Sequence, residues 1–327
     1  MNSEINIKDD NKSLTLVDGS GFIFRAYYAL PPLTRKDGTP INAVMGYCNM
    51  IWRLIAKTKT DHLAVIFDVA SKSFRNDIYP QYKANRSEAP DDLIPQFALI
   101  REATNAFNIP YIELKGYEAD DIIATYARQA QNKGWLVDII SSDKDLMQLV
   151  DDKIKMIDPM KMVNIDREEV LKKFGVYPDK VVDVQALAGD STDNIPGVPG
   201  IGVKTAAELI NKYGSLEILL NKAEEITQPK RRENLINYAD LARISMKLVT
   251  LDDDVKNIED FKSFKRKDID LDKLKSFLSA QGFNSLIGRL PDKENFKENN
   301  SAYIALQDSN ENKTTVNKEI DYKLITE

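Results

Sequence analysis

Three short apolar runs in this chain each end on an aspartate: Leu14 to Asp18, Leu63 to Asp68 and Leu136 to Asp143. Further carboxylates follow in tight groups. Glu118, Asp120 and Asp121 open a helical pattern, Asp145 stands two residues after Asp143, and Asp190 and Asp193 close a later helix. Singly, each group has an ordinary structural reading: acids at a helix N-terminus cap it and suit its dipole, and aspartates at turns bond to nearby backbone. Together they imply more, because like charges gathered in one crevice repel strongly and are usually accompanied by divalent cations. Hard oxygen donors suit Mg²⁺ or Mn²⁺. Two such ions ~3.5–4 Å apart stabilise the attacking and leaving oxygens of an in-line phosphodiester displacement.

Other chemistries are narrowed by what is scarce. One cysteine, Cys48, excludes an intrachain disulfide framework and a cysteine-based zinc site. The single histidine, His62, leaves little for a serine–histidine hydrolase or a multi-histidine zinc centre, and a surface position at the entrance of the second strand is expected for it. The 327 residues carry a net charge of −6. That balance disfavours a nucleic-acid partner only if charge is spread evenly, and here the acids and the bases are segregated. No apolar run approaches the length of a membrane span and residues 1–13 lack a signal-peptide core, so a cytoplasmic location is the default.

The acids need elements to hold them. The three apolar runs read as buried strands of a parallel sheet, whose ligand crevice lies beyond the strands' carboxyl ends. Helical patterns run over 43–56, 91–107, 118–133 and, briefly, 145–150, with a short strand near 110–114. From about Asn164 the pattern is mostly helical: 167–174, 178–188, 204–213, 215–221, 229–250 and 272–281. This is α/β architecture followed by an all-helical part. After Leu290 the composition shifts to Asn, Lys, Glu, Asp and Ser, as in a linker.

Two stretches suit phosphates. Gly197-Val-Pro-Gly200-Ile-Gly202-Val-Lys204-Thr205-Ala matches a helix–hairpin–helix, whose turn presents backbone N–H groups and a lysine to DNA phosphate without reading bases. It is not a P-loop, since the spacing differs and no strand precedes it. Between Val69 and Pro90, Lys72, Arg75, Lys83 and Arg86 interleave with Phe74, Tyr79 and Tyr82, a mixture that can meet phosphates and stack on unpaired bases.

In this order, Val17-Asp18-Gly19 with Arg25, Phe67-Asp68, Phe74-Arg75, Tyr82-Lys83-x-x-Arg86, Gly116-Tyr-Glu118-Ala-Asp120-Asp121, Asp143-Lys-Asp145-Leu, Gly189-Asp190-x-x-Asp193-Asn and the hairpin resemble the 5′-nuclease family. That family includes flap endonucleases, phage 5′-exonucleases and the N-terminal domain of bacterial DNA polymerase I, the last being the nearest match, over about Leu14 to Leu290. The resemblance implies a PIN/5′-nuclease-like core at 1–165 with a helical arch at about 69–93. A helical DNA-binding domain would follow at 166–290, its hairpin at about 185–213, and then a linker and the start of a further domain at 291–327. Tyr322-Lys-Leu-Ile-Thr would be that domain's opening strand, making the chain an N-terminal fragment or a naturally short relative. Asp18, Asp68, Glu118 and Asp120 would surround one Mg²⁺ (or Mn²⁺), and Asp143, Asp145 and Asp190 the other, with Asp121 and Asp193 as outer or shared ligands. Lys83 and Arg86 would steer the scissile phosphate, with Arg25 and Arg75 nearby, and K⁺ would be admitted at the hairpin. The implied partners are DNA with a 5′ flap or nick and RNA primers, handled by a monomer or by a domain joined to a polymerase. Two rivals differ in class. A junction-binding module would carry the acids without chemistry, and an aspartyl-phosphate phosphatase would want a second aspartate where Ser20 stands.

Overall fold

The computed structural model describes residues 12–69 and 72–291. The linker and opening strand expected after Leu290 therefore lie almost wholly outside the described residues. The chain begins with β1 (Ser13–Asp18), α1 (Gly19–Ala29), α2 (Asn42–Lys57) and β2 (His62–Ile66). It continues through the one-turn α3 (Arg75–Ile78), α4 (Ile94–Ala106), β3 (Tyr111–Ile112), α5 (Ala119–Asn132) and β4 (Leu136–Ile140). A 3₁₀ turn at Asp145–Leu149 leads to β5 (Ile154–Ile157) and β6 (Asn164–Ile165). The sheet order is β3-β2-β1-β4-β5-β6, parallel except for β6 against β5. Val17 pairs with Val65 on one side and Ile140 on the other, so the carboxyl ends of β1, β2 and β4 are level. Strand order reverses between β1 and β4, the switch point at which such sheets open a crevice.

Burial on both faces explains why β1 and β2 read as unbroken apolar runs. Leu14, Leu16, Ala64 and Ile66 face a core shared with α5, while Val17, Leu63, Val65 and Phe67 face one shared with α1, α2 and α4. That split is the two-residue period of a strand.

The helical elements are α6 (Arg167–Phe174), α7 (Val181–Ala188), α8 (Val203–Tyr213), α9 (Leu216–Asn221), α10 (Pro229–Asn237), α11 (Ala239–Val249), α12 (Leu271–Ala280) and α13 (Asn284–Ile287). The single helix expected over 229–250 is broken at Tyr238, which leaves helical geometry at φ −113°, ψ 20° with no proline or glycine to signal it. The core of α6–α11 is continuous with the α5 face of the sheet. The chain then returns: Leu274, Leu278 and Phe283 pack on the opposite face with α2 and α4.

That return overturns the expectation for His62. It is buried, 7% exposed, with its ring 4.5 Å from that of Trp135, and β2's first residue is bridged by Lys265. Phe261 packs edge-on against Trp135. Residues far along the chain cover the strand entrance that looked open in sequence.

The helical arch expected over about 69–93 also takes another form. Among the described residues there, only α3 is helical, with turns over 80–85 and 91–93. The segment lies down on α11 and on the 190s loop, because its arginine and tyrosine find buried partners there.

Candidate metal centre and the loops around it

Each strand-end acid is fixed by backbone geometry. Asp18 is the N-cap of α1: its Oδ1 accepts the Gly21 amide at 2.8 Å and its Oδ2 the Ser141 hydroxyl at 2.8 Å. A Cβ at Gly21 would lie 2.5 Å from Asp18 Oδ2, so glycine is required for this approach. Asp68 accepts the Ala119 amide at 2.7 Å, tying the end of β2 to the start of α5. Asp143 accepts the Asp145 amide at 2.9 Å and donates its own amide to Ser141 Oγ at 3.0 Å. The Ser141 hydroxyl thus joins Asp18 to Asp143 across the switch point.

The later acids come from helix ends. Asp145 accepts Gln185 Nε2 at 2.5 Å. Asp190 accepts the Thr192 amide at 2.8 Å and pairs with Lys144 Nζ at 2.6 Å. Asp193 pairs with Arg86, and its Oδ2 lies 3.7 Å from Lys83 Nζ. Asp145, Asp190 and Asp193 each offer an oxygen, all within 4.8 Å of one another.

Electrostatics separates the acids into two kinds. Burial pushes Asp18 up to about 6, with Asp68 and Asp143 adding to the rise against the Gly21 and Ser141 bonds. Burial likewise pushes Asp145 up to about 6, with Asp143 adding to it. Asp120 is raised well above the usual range by burial and by the fields of Asp143, Asp18, Asp68 and Asp145. Burial opposes ionisation of Asp190 and Glu118 too, but Lys144 for the first and Lys83 with Arg75 for the second outweigh it and hold both low. Glu118 also accepts Ser73 Oγ at 2.9 Å, Lys83 Nζ at 2.7 Å and the Tyr82 hydroxyl at 3.1 Å.

Three sequence expectations change here. Asp121 is fully buried and faces Arg75, whose Nη1 and Nη2 each reach its carboxylate at 2.7 Å; it also accepts the Glu118 and Asp252 amides. Those four bonds occupy the carboxylate, so it stands as a buried ion-pair partner and not as an outer or shared metal ligand. Arg75, 1% exposed, is consumed by the same pair and is not placed to meet a scissile phosphate. Tyr82, 5% exposed, has its hydroxyl on Glu118 and its ring packed with Ile195, Leu248 and Val249, so it offers no face for base stacking. Phe74 is half-buried, beneath the Arg75 guanidinium at 4.6 Å, and half-buried Tyr79 donates to Gln81 at 3.1 Å.

Of the remaining cations, Lys83 adopts a left-handed backbone (φ 56°) that turns its ammonium between Glu118 and Asp193. Its amide donates to the Asp193 carbonyl at 2.9 Å. Arg86 is exposed but reaches Asp193. Arg25, on α1, donates to Ser142 Oγ at 2.8 Å beside Asp143.

The hairpin joins α7 to α8. Gly197 (φ +60°) is pressed so close to Gly189 that a Cβ would lie 2.4 Å from its amide nitrogen, and its own amide donates to Ser245 Oγ at 2.9 Å. Gly200 (φ +77°) is exposed at the turn. Gly202 caps α8 without any side-chain hydrogen bond, Lys204 is exposed and Thr205 half-exposed. The first amides of α8 are therefore left without a side-chain cap, the arrangement that suits a phosphate.

Comparison with known proteins bears directly on this arrangement. A family model described as 5′-3′ exonuclease, N-terminal resolvase-like domain, matches residues 13–175, and one described as 5′-3′ exonuclease, C-terminal SAM fold, matches residues 176–272. A 5′-3′ exonuclease of Aquifex aeolicus is 42% identical over 281 residues, covering 84% of this chain and 94% of that protein. The chain belongs to the 5′-3′ exonuclease family. DNA polymerase I of Rhizobium leguminosarum is 55% identical over 285 residues, covering 85% of this chain and 28% of the polymerase. The chain thus spans under a third of that relative's length. In fold, it is similar to T5 5′-exonuclease with bound zinc (TM-score 0.62, 24% identity, 74% of this chain and 90% of the other). It is also similar to the catalytic core of Rad2 with DNA substrate (TM-score 0.58, 18% identity, 86% and 94%).

The donor set of this 5′-3′ exonuclease family member fits a divalent cation. It is all carboxylate oxygen, and Asp18, Asp120 and Asp145 are displaced upward by burial first and by neighbouring carboxylates second, both of which a bound cation would offset. Sequence reasoning missed Ser141, Lys144, Gln185 and Ser73, which hold the acids in place. Lys144 had a signal, standing between Asp143 and Asp145; the partner of Gln185 lies forty residues away and could not be read from spacing.

Among the described residues, no helix is long and apolar enough to cross a membrane.

Proposed function

We propose that this chain hydrolyses phosphodiesters at the junction of single-stranded and duplex DNA, as a 5′-3′ exonuclease and flap endonuclease acting on 5′ flaps, nicks and RNA primers. The observation that carries this reading is that Asp18, Asp68, Asp120, Asp143 and Asp145 lie within one another's fields and Asp145 groups with Asp190 and Asp193, the whole bordered by Lys83 and Arg86. Asp18, Asp68, Glu118 and Asp120 would hold one Mg²⁺ (or Mn²⁺), and Asp143, Asp145 and Asp190 the other, with Asp193 shared. Two such ions supply water activation and charge stabilisation for an in-line displacement. The chain's own residues do the rest. Lys83 and Arg86 exchange their carboxylate partners for the phosphate, and Arg25 adds charge from α1. The α8 amides and Lys204 grip duplex backbone without reading sequence, and the hairpin's backbone carbonyls are hard donors for a K⁺. Phe74 and Tyr79 present partly exposed rings to the single strand. The product keeps its 5′-phosphate. The working division is 1–165 for the nuclease core and 166–290 for the DNA-binding part, within a monomeric amino-terminal portion of a cytoplasmic DNA polymerase I.

A fluorescent 5′-flap substrate tests this directly. Cleavage is expected in Mg²⁺ and lost on adding EDTA. Asp143→Asn is expected to abolish cleavage while flap affinity stays within about threefold, the acid acting on metal and not on the DNA grip. Cutting at the normal rate by that variant would refute the metal assignment. A junction-binding module would bind the flap uncut, and a phosphatase would release phosphate from a monoester instead; at Ser20, the hydroxyl already accepts the Asp68 amide at 2.9 Å.

A further inference from the structure

Helix α11 ends at Val249, and the last carbonyls of a helix have no partners within it. Side chains from the segments around the acids supply them. Arg75 donates from Nε to the Leu248 carbonyl at 2.7 Å and from Nη2 to that of Thr250 at 3.2 Å. Gln148 donates from Nε2 to the Val249 carbonyl at 2.9 Å and accepts the Leu251 amide on Oε1 at 3.1 Å. Asp121 accepts the Asp252 amide at 2.9 Å. The backbone from 248 to 252 is thus held by three side chains, each rooted in a different part of the site's scaffold.

Those roots lie beside the acids. Arg75 stands at the base of the segment carrying Lys83 and Arg86, and its fork grips Asp121, the residue after Asp120. Gln148 shares the 3₁₀ turn of Asp145 and also donates to that residue's carbonyl at 2.8 Å. Within α11 itself, the fully buried Ser245 hydroxyl accepts the Gly197 amide of the hairpin at 2.9 Å.

We propose that Arg75 and Gln148 are positioning residues that use the end of α11 as a common anchor, setting the spacing of the Glu118–Asp120 and Asp143–Asp145 segments and registering both to the hairpin. The physical need is plain. Clustered carboxylates repel one another, so the segments that carry them separate unless something outside the cluster holds them. Mg²⁺ takes near-octahedral ligands at ~2.0–2.1 Å and tolerates little misplacement. A guanidinium and a neutral amide on the partly negative end of a helix supply the hold without adding negative charge. Gln148 acts through backbone alone; Arg75 adds its fork to Asp121 and lies 3.9 Å from Glu118, so Gln148 is the cleaner variant for the test.

The test uses the full chain and Gln148→Met, which keeps side-chain length and removes both donor and acceptor. The control is Tyr47→Phe, which removes a buried hydroxyl bond to Thr104, 2.7 Å long, in the packing of α2 on α4. Two quantities are measured: the Mg²⁺ concentration that half-saturates the rise in Tm without DNA, and steady-state cleavage of a 5′ flap. Gln148→Met should raise the Mg²⁺ midpoint about tenfold and lower kcat about tenfold with KM within about twofold, as losses of ligand-supporting contacts do. Tyr47→Phe should lower Tm and leave both quantities unchanged. Arg75→Lys, which keeps the charge but not the fork, should move both in the same direction as Gln148→Met. An unchanged Mg²⁺ midpoint in Gln148→Met, an equal shift in Tyr47→Phe, or a parent Tm indifferent to Mg²⁺ would overturn the proposal. The kinetic measurement rests on the nuclease reading; should the parent fail to cut the flap, that reading falls while the Mg²⁺ midpoint still decides this one.

Discussion

Asp145 shows how a residue can weaken the fold for the sake of a site. Its carboxyl is raised from 3.8 to about 6 in the folded chain by burial and then by Asp143. Between those values the folded state binds a proton that the unfolded state does not. Its contribution to stability is therefore present at low pH and is lost as pH rises from about 4 through about 6. Shared among the coupled acids, the loss is on the order of 1–3 kcal/mol at neutral pH. Asp145→Asn keeps an oxygen for Gln185 and removes the charge. Without divalent cations, its Tm should exceed the parent's at pH 7.5, and the gap should narrow to about a third by pH 4.5; adding Mg²⁺ should reverse the order at pH 7.5. A gap independent of pH would show that the charge is not what strains the site. The acid types and their grouping were legible at this scale. Asp121 was not, because a buried arginine partner 46 residues away looks the same in sequence as a metal.

At the scale of elements, the hairpin works through its backbone. Gly197 and Gly189 touch at a distance that only glycines allow, which closes the acidic loop between them and places Asp190 and Asp193 near Asp145. The motif therefore serves two ends, presenting α8's amides outward and shaping the acidic loop inward. Lys204 belongs to the outward side alone. Lys204→Ala should weaken flap binding in Ca²⁺ at all sequences alike and reduce the slope of log K against log salt by about 1, while leaving Tm unchanged. A sequence-dependent loss, or an unchanged slope, would place the lysine elsewhere than on phosphate. The turn residues made this motif readable, since glycine spacing at positive φ is a local requirement. The segment at 69–93 was misread as an arch because its character depends on what it packs against: Arg75 and Tyr82 are drawn down by Asp121, Glu118 and α11.

In the whole molecule, the last described elements close the structure. Phe261 and Phe264 join the α5-side core, and Ile269, Leu274, Leu278, Phe283 and Leu286 the opposite one. Seven buried side chains at about 1.5–3 kcal/mol each match or exceed the ~5–15 kcal/mol by which a fold is stable. A chain ending after residue 258 should therefore lose cooperative unfolding, with calorimetry showing no sharp transition. A sharp transition near the parent's Tm would mean that the returning segment is an appendage. The same return hides His62, and it adds to the core that the α/β part and the helical part already share.

The sequence by itself determined the chemistry. Nine acids of the right type, a glycine hairpin and strand-length apolar runs are local facts, set by the backbone needs of turns, caps and buried strands. Which acids face one another was decided only by tertiary structure. Asp121 was withdrawn into an ion pair, Tyr82 into the core, and Gln148 and Ser245 were recruited to α11. The reason is physical: a buried charge or backbone group must find a partner wherever the fold brings one, and distance along the chain does not foretell which it will be.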